Sequence, residues 1–522
     1  MNLWEVIVGR QDEIIQATLE HIQISFIALL IAIVISIPLG LLLTRAPRLA
    51  GPVIGVTSLF QTIPSLALLG FMIPILGIGM APAIVALTVY ALLPILRNTY
   101  TGIMNVDKPI KEAGTGMGMT SLQVMFKVEL PLALNVIMAG IRTATVMLIG
   151  VATLASLVGA GGLGDLIFRG ISTVNTELIL AGTIPAALLA IVFDYMLARM
   201  EQAVTPKGIR KGTKPSSKFR RGVELAFMAV LGVLLVFSLA KGLVGSGGSG
   251  ENSVVVAGKN FSEQDILTHL MASLIEEKTD LDVVRKPFLG GSSVTHDAIV
   301  RGDVDVYAEY TGTGWTSVLQ KKPIMGPPEK TYDAVKSAYE KEFGVTWLKP
   351  LGFNNTFAMA MGEERAKELG IETFTDLAKA APQLVFGGTP EFLERSDGFQ
   401  GLKKVYDMNF KAIKGLDIGL TFSAVSEGTT DVLSANSTDG RIAKFNLKVL
   451  KDDKQFFPPY FVAPIIRQDT LEKHPELAEV LDLLANKIDD RTMAELNGKV
   501  DLDGQDARKV AEDWLKKAGL IS

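Results

Sequence analysis

From Leu49 to Leu96 the chain runs for 48 residues without one Asp, Glu, Lys or Arg. A bilayer core is crossed by a helix of roughly 20 mostly apolar residues, so this run has room for two spans, joined by a turn near Gly77–Gly79. Other uncharged runs fall on either side. His21–Thr44 is a first span, and Leu130–Gly164, interrupted only by Arg142, is a fourth. Leu178–Met200, with Asp194 and Arg199 near its end, is a fifth, and the shorter Leu225–Ala240 is a sixth, extended by Lys241. Pro64, Pro74, Pro82 and Pro94 would break helices in water but are tolerated inside packed membrane bundles. Arg142, near the inner end of its helix, is expected to snorkel toward the interface, with a role as an intramembrane charge as the alternative.

The remainder of the chain has the opposite character. Residues 1–200 hold 20 charged side chains, and the other 322 residues hold 86. The first part belongs in lipid and the last part in water. Residues 1–200 read as a transmembrane domain, 201–252 as a basic loop, the sixth span and a Gly/Ser linker, and 253–522 as a water-exposed domain. The linker is the run Gly245–Gly250, composed only of Gly and Ser.

Composition narrows the chemistry. There is no cysteine, which excludes disulfides, thiolate metal sites, cysteine nucleophiles and a lipidated N-terminal cysteine. Four histidines make a histidine-rich metal site a poor reading, and a net charge of −4 lacks the basic excess of a nucleic-acid binder. No nucleophile–base pair stands out, so no enzyme and no cofactor is expected. Asp12, Glu13 and Glu20 precede the first span where a signal peptide carries basic residues, so cleavage there is not expected.

Basic residues also orient the spans. Arg45, Arg48, Arg97, Lys108, Lys111, Lys127, Arg199 and the basic residues of 207–221 fall on one side, and only Arg10 and Arg169 on the other. By the positive-inside rule the N-terminus and everything after the sixth span lie outside.

One inside loop carries a motif: Glu112-Ala113-Gly114, then Gly118, then Val128-Glu129-Leu130-Pro131. It resembles the EAA coupling loop of ABC importer permeases, with nine residues between Gly118 and Val128. The resemblance implies a short helix pair docking on an ATPase, with Glu112, Ala113, Gly118, Leu130 and Pro131 at its matching positions. A stiff lever needs a tight turn between its arms, which Gly118 permits. An ordinary amphipathic surface helix is the alternative. The segments 60–65 and 157–164 resemble permeases for betaine-type osmolytes. The glycine-rich 157–164 stretch serves either a flexible gate or close helix packing. No Walker A sequence occurs, so the ATPase is expected as a separate cytoplasmic protein, and a homodimer through the permease domain is implied.

After the linker, β-branched runs at Val254–Ala257, Asp282–Val284 and Val304–Tyr307 alternate with helical patterns at Phe261–Glu277 and His296–Arg301. Such alternation argues α/β layers with a mixed sheet, and the length suits two lobes. The segments 258–264, 305–313, 437–441 and 456–460 resemble glycine betaine, choline and carnitine binding proteins. The whole is therefore expected to be an all-α polytopic membrane domain of the ABC type I importer kind, with five core spans and a sixth tethering span. An α/β two-lobed type II periplasmic-binding-protein domain follows it.

A quaternary ammonium has no N–H to donate, so aromatic faces must hold it, and a carboxylate at the other end needs basic or hydroxyl donors. By the resemblance, Tyr310, Phe357 and Tyr460 are the aromatic walls, while Lys259, Thr313 and Arg395 face the carboxylate. Each aromatic has core packing as its alternative, and Lys259 and Arg395 have surface ion pairs as theirs. The family commonly has Tyr where this chain has Phe357 and Asn436. Asn436 removes a wall and suits a betaine with its own polar ring, such as ergothioneine, beside glycine betaine, carnitine or choline. Trp315, close to Tyr310, reads as core. The function implied is the permease and binding subunit of an ATP-driven importer, in contact with lipid and with a small cationic or zwitterionic solute. A ligand-gated channel or an anchored sensor is the alternative. A channel has no use for an EAA loop, and the inside segments of about 20–35 residues are small for a signalling domain.

Overall fold

In the computed structural model, residues 3–173, 175–204, 252–324 and 327–522 are described. The expected sixth span, Gly/Ser linker and 207–221 basic loop lie outside them. The chain divides into two compact units, one of residues 7–167 and 180–248, the other of residues 1–6, 168–179 and 249–522.

Among the described residues, four helices of the first unit are long and apolar enough to cross a membrane: Gln11–Arg45, Met80–Met104, one within Ser121–Val158, and one within Thr176–Gln202. A bent pair of apolar helices follows the first of these. Pro47–Thr62 and Ser65–Leu76 meet at 96°, where the sequence suggests a single straight span after Leu49. The cause is local: Pro64 crowds the backbone before it, and Ile63 is extended, with φ −66° and ψ 130°. The expected turn near Gly77–Gly79 is present, with Gly77 and Gly79 both at positive φ. Small buried residues (Ala28, Ala32, Ala83, Ala86, Ala91, Ala144) let the long helices approach closely. Arg142 is ion-paired. Its guanidinium takes both oxygens of Asp194 at 3.0 Å and Glu201 at 3.1 Å, joining Leu130–Ala152 to Thr176–Val204.

The loop between the third and fourth spans forms two arms, helices Lys108–Gly116 and Ser121–Val124. Gly118 turns the chain between them at φ +83°. Thr120 and Gln123 cap the second arm reciprocally. A π-turn, Met125–Glu129, then leads into Leu130. Glu129 is 3% exposed and pairs with Arg45 at 2.6 Å and Lys111 at 3.4 Å. Lys111 also donates to the Ile103 carbonyl at 3.0 Å. One buried carboxylate thus ties both arms to the ends of two spans.

The second unit carries two five-stranded sheets. In the first, β1 (Ser253–Lys259) is parallel to β2 (Asp282–Gly290) and β3 (Val306–Tyr310). There β10 (Val462–Arg467) runs antiparallel to β3 and to β4 (Val345–Trp347), giving the order β2-β1-β3-β10-β4. The second sheet repeats the pattern with β5 (Phe357–Gly362), β6 (Val385–Gly388), β7 (Ala412–Gly415), β8 (Val432–Asn436) and β9 (Leu447–Val449), in the order β7-β6-β8-β5-β9. The second sheet is inserted between β4 and β10, so the chain crosses between two lobes twice. The crossings are bonded together: Asn354 pairs antiparallel with Phe461, and the Asn355 N–H donates to the Tyr460 carbonyl at 3.1 Å.

The helix Ser262–Lys278 is buried from Ser262 through Ile275, wedged between the first sheet and helices Asp490–Asp501 and Ala507–Lys517. Its buried residues are apolar on the core side and include Ser262, Glu263, Gln264, Asp265, Thr268 and His269, which must find polar partners inside the fold. Trp315 is half-buried, its indole donating to the Lys322 carbonyl at 2.7 Å, and does not join the core.

Candidate functional site

The candidate binding residues lie where strands end at the cleft between the two sheets. Lys259 closes β1 and Tyr310 closes β3, Phe357 opens β5, and Asn436 closes β8 directly opposite Phe357 in the β5–β8 register. Tyr460 sits on the second crossing, just before β10, and Arg395 follows the short helix Pro390–Glu394.

Four of them form one cluster. The Arg395 guanidinium donates to both Asp397 oxygens at 2.8 and 2.7 Å, to Glu391 at 3.0 Å and to the Thr313 hydroxyl at 3.2 Å. It also lies 5.1 Å from the Phe357 ring centre. Tyr460 stands edge-on to Phe357 at 5.5 Å and donates its hydroxyl to Asp397 at 2.6 Å. Burial alone would push the Asp397 carboxyl up, but the Arg395 hydrogen bonds and charge hold it below the usual carboxylate value. Arg395 links the lobes, since Thr313 and Tyr460 belong to the first and Arg395 and Asp397 to the second.

Lys259 and Tyr310 form a second cluster. The Lys259 ammonium donates to Glu309 at 2.5 Å and Ser292 at 3.2 Å, and lies 5.0 Å from the Tyr310 ring centre. Glu309 also accepts the Tyr307 hydroxyl at 2.9 Å. Ser292 joins the clusters, because it also hydrogen-bonds Glu391. Lys259 and Arg395 are 2% and 8% exposed, so neither makes a surface ion pair. Each cation already has a carboxylate of this chain beside it.

Tyr310 donates its hydroxyl to Glu263 at 2.8 Å. Burial, and then the Glu263 charge, holds the Tyr310 phenol well above its ordinary value, so it stays a donor. Glu263 also accepts from Asn355 at 2.8 Å, Thr438 at 2.5 Å and Asn497 at 3.0 Å. Burial pushes this carboxyl up, against the pull of those four donors. A small cavity of about 20 Å³ opens beside it, lined by Phe261, Asn355, Asn436, Thr438 and Arg441 among others. That is room for about one water.

Sequence reasoning did not single out Glu263, Glu309, Asp397, Asn355, Thr438 or Asn497. The signal existed for some of them. Glu309 lies in an otherwise uncharged strand on the same face as Tyr307, and a carboxylate there must find a partner.

Two family profiles match. "Substrate binding domain of ABC-type glycine betaine transport system" covers residues 252–517, and "Binding-protein-dependent transport system inner membrane component" covers residues 16–206. The ergothioneine transport permease/ergothioneine binding protein EgtU of Helicobacter pylori is 38% identical over 89% of this chain and 83% of its own length. The carnitine transport binding protein OpuCC of Listeria monocytogenes is 36% identical over 56% of this chain and 96% of its own. A crystal structure of a glycine betaine/carnitine/choline ABC transporter covers 52% of this chain and 100% of its own, at 36% identity and a TM-score of 0.45. With an inner-membrane transport component and a substrate-binding domain of the glycine betaine type in one polypeptide, the chain belongs to the family of fused permease and binding proteins of ABC importers.

Proposed function

We propose that this chain captures and imports a trimethylammonium (betaine-type) solute, with ATP hydrolysis supplied by a separate cytoplasmic subunit. The observation that carries the reading is the convergence of Phe357, Tyr460, Arg395 and Thr313 across the two lobes. Aromatic faces suit the ammonium end, and the Arg395–Thr313 pair suits a carboxylate. Lys259 and Tyr310 extend the same wall through Ser292 and Glu391. Within the betaines, the reading favours one that carries a polar ring. Asn436 stands opposite Phe357, where it offers a polar side chain in place of a ring, and a relative that matches both halves is named for ergothioneine.

The ATPase docks on the two-armed loop of residues 108–131, and two copies of the permease domain enclose the pathway within the cell membrane. Residues 253–522 lie outside the cell, joined through residues 201–252, as the basic residues of the loops require. Tethering the receptor raises its local concentration at the permease, so delivery does not wait on a second diffusional encounter.

The test is calorimetric binding to the full-length protein in nanodiscs, with glycine betaine, carnitine, choline, ergothioneine and a neutral amino acid as titrants. Ergothioneine is expected to bind most tightly, and Arg395→Ala and Tyr460→Ala to abolish that binding. Binding of the neutral amino acid alone would overturn the trimethylammonium reading. Vanadate-insensitive uptake in cells would overturn the ATP-driven one.

A further inference from the structure

Three tyrosine hydroxyls around the cleft donate to buried carboxylates: Tyr307 to Glu309, Tyr460 to Asp397 and Tyr310 to Glu263. Two of those carboxylates are balanced within the chain. Glu309 is paired with Lys259, and Asp397 with Arg395. Glu263 differs. Its four hydrogen-bond partners, Tyr310, Asn355, Thr438 and Asn497, are all neutral. The adjoining cavity adds to the imbalance, since its lining holds Glu263, Asp439 and Asp501 against the single guanidinium of Arg441.

Burial favours the protonated form, and the four donors pull the other way: a carboxylate has about four lone-pair sites and no proton to give, so this surround suits the anion on which the inference depends. A buried charge without a counter-charge acts over a longer range than one on the surface, because little water screens it. It also draws on the Tyr310 hydroxyl and makes that ring a better seat for a cation. The ring already attracts one, the Lys259 ammonium 5.0 Å from its centre.

We propose that Glu263 is a positioning residue for cation selection, holding the Tyr310 wall and placing a negative charge behind it so that a trimethylammonium head is preferred over its uncharged isostere. The proposal rests on the trimethylammonium reading above. It predicts a separation that a purely structural Glu263 would not produce. Loss of packing weakens every ligand alike, whereas loss of the charge weakens only the cation.

The experiment titrates the full-length protein in nanodiscs with choline and with 3,3-dimethylbutan-1-ol, in which carbon replaces the ammonium nitrogen. Wild type, Glu263→Gln and Tyr310→Phe are compared, with thermal unfolding of each. Glutamine is accommodated because the Asn355 Oδ1 has no hydrogen-bond partner among the described residues and, with the amide turned over, accepts from it. The choline preference is expected to fall roughly 3- to 30-fold in Glu263→Gln, the range of one cation–π contact. Tyr310→Phe, which keeps both ring and carboxylate, is expected to lower it by a smaller factor, and it serves as the test if Glu263→Gln does not fold. An unchanged preference in both variants, or equal weakening of the two ligands, would overturn the role of Glu263. A wild type with no preference for choline would instead remove the trimethylammonium reading, and this inference with it.

Discussion

At the scale of single residues, the site is a set of buried ions whose partners decide what each can do. Arg395 and Asp397 hold one another in bidentate geometry, and Thr316 and Tyr460 also donate to Asp397. Arg395→Ala leaves that carboxylate buried without its cation. It should destabilise the binding domain by about 3–5 kcal/mol, read as a lowered unfolding temperature, and Arg395→Lys should not restore the planar pair. Because Asp397 titrates below its ordinary value, its contribution is complete above about pH 4 and is lost as pH falls through the depressed value. Asp501 behaves in the opposite sense. Burial lifts its pKa to about 6 against the pull of Arg441, with Asp439 adding to the lift. The folded chain therefore keeps a proton between about pH 4 and 6 that an unfolded Asp has released. Stability should decline as pH rises through that window and then level off. Asp501→Asn should flatten the decline in a pH series of thermal unfolding.

At the scale of elements, one buried carboxylate holds together the two-armed loop between the third and fourth spans, which is the proposed docking point of the ATPase. Gly118 adopts a left-handed turn that costs other residues about 1–2 kcal/mol. Gly118→Val should therefore lower uptake several-fold while leaving solute affinity unchanged, as transport and binding assays on the same variant would show. Glu129 is the clasp of this loop, paired with Arg45 and Lys111. Glu129→Gln should slow uptake with binding intact, and Arg45→Glu combined with Glu129→Arg should recover part of it. Full uptake by Glu129→Gln would show that the clasp carries no motion. The clasp was only half legible beforehand. Gly118 announces itself through motif spacing, but Glu129 reads as one more polar residue in a polar loop until the fold brings Arg45 to it from 84 residues away.

At the scale of the whole molecule, two compact units in one chain predict two unfolding transitions by calorimetry in nanodiscs. Solute at 100 times its Kd should stabilise the binding unit by about 2.7 kcal/mol. The transition of that unit should rise while the membrane unit's stays in place, and joint movement of the two would argue that they unfold together.

How far the sequence reached follows from the range of the forces involved. The membrane crossings, the α/β character of the second half and the turn at Gly118 depend on contiguous residues, through apolar runs, strand–helix alternation and backbone freedom. They were readable from the chain alone. The break at Ile63–Pro64 was also a local signal, but it was masked by the hydrophobicity that runs straight through it. Tyr310, Phe357, Tyr460 and Arg395 were selected by resemblance, and no local pattern distinguishes them from core residues. Only the tertiary structure decided which carboxylate faces which cation. The pairs Lys259–Glu309 and Arg142–Asp194, and the four neutral donors around Glu263, join residues tens to hundreds of positions apart. The cost of burying a charge is set by the neighbours the fold supplies, and a linear sequence does not contain that information.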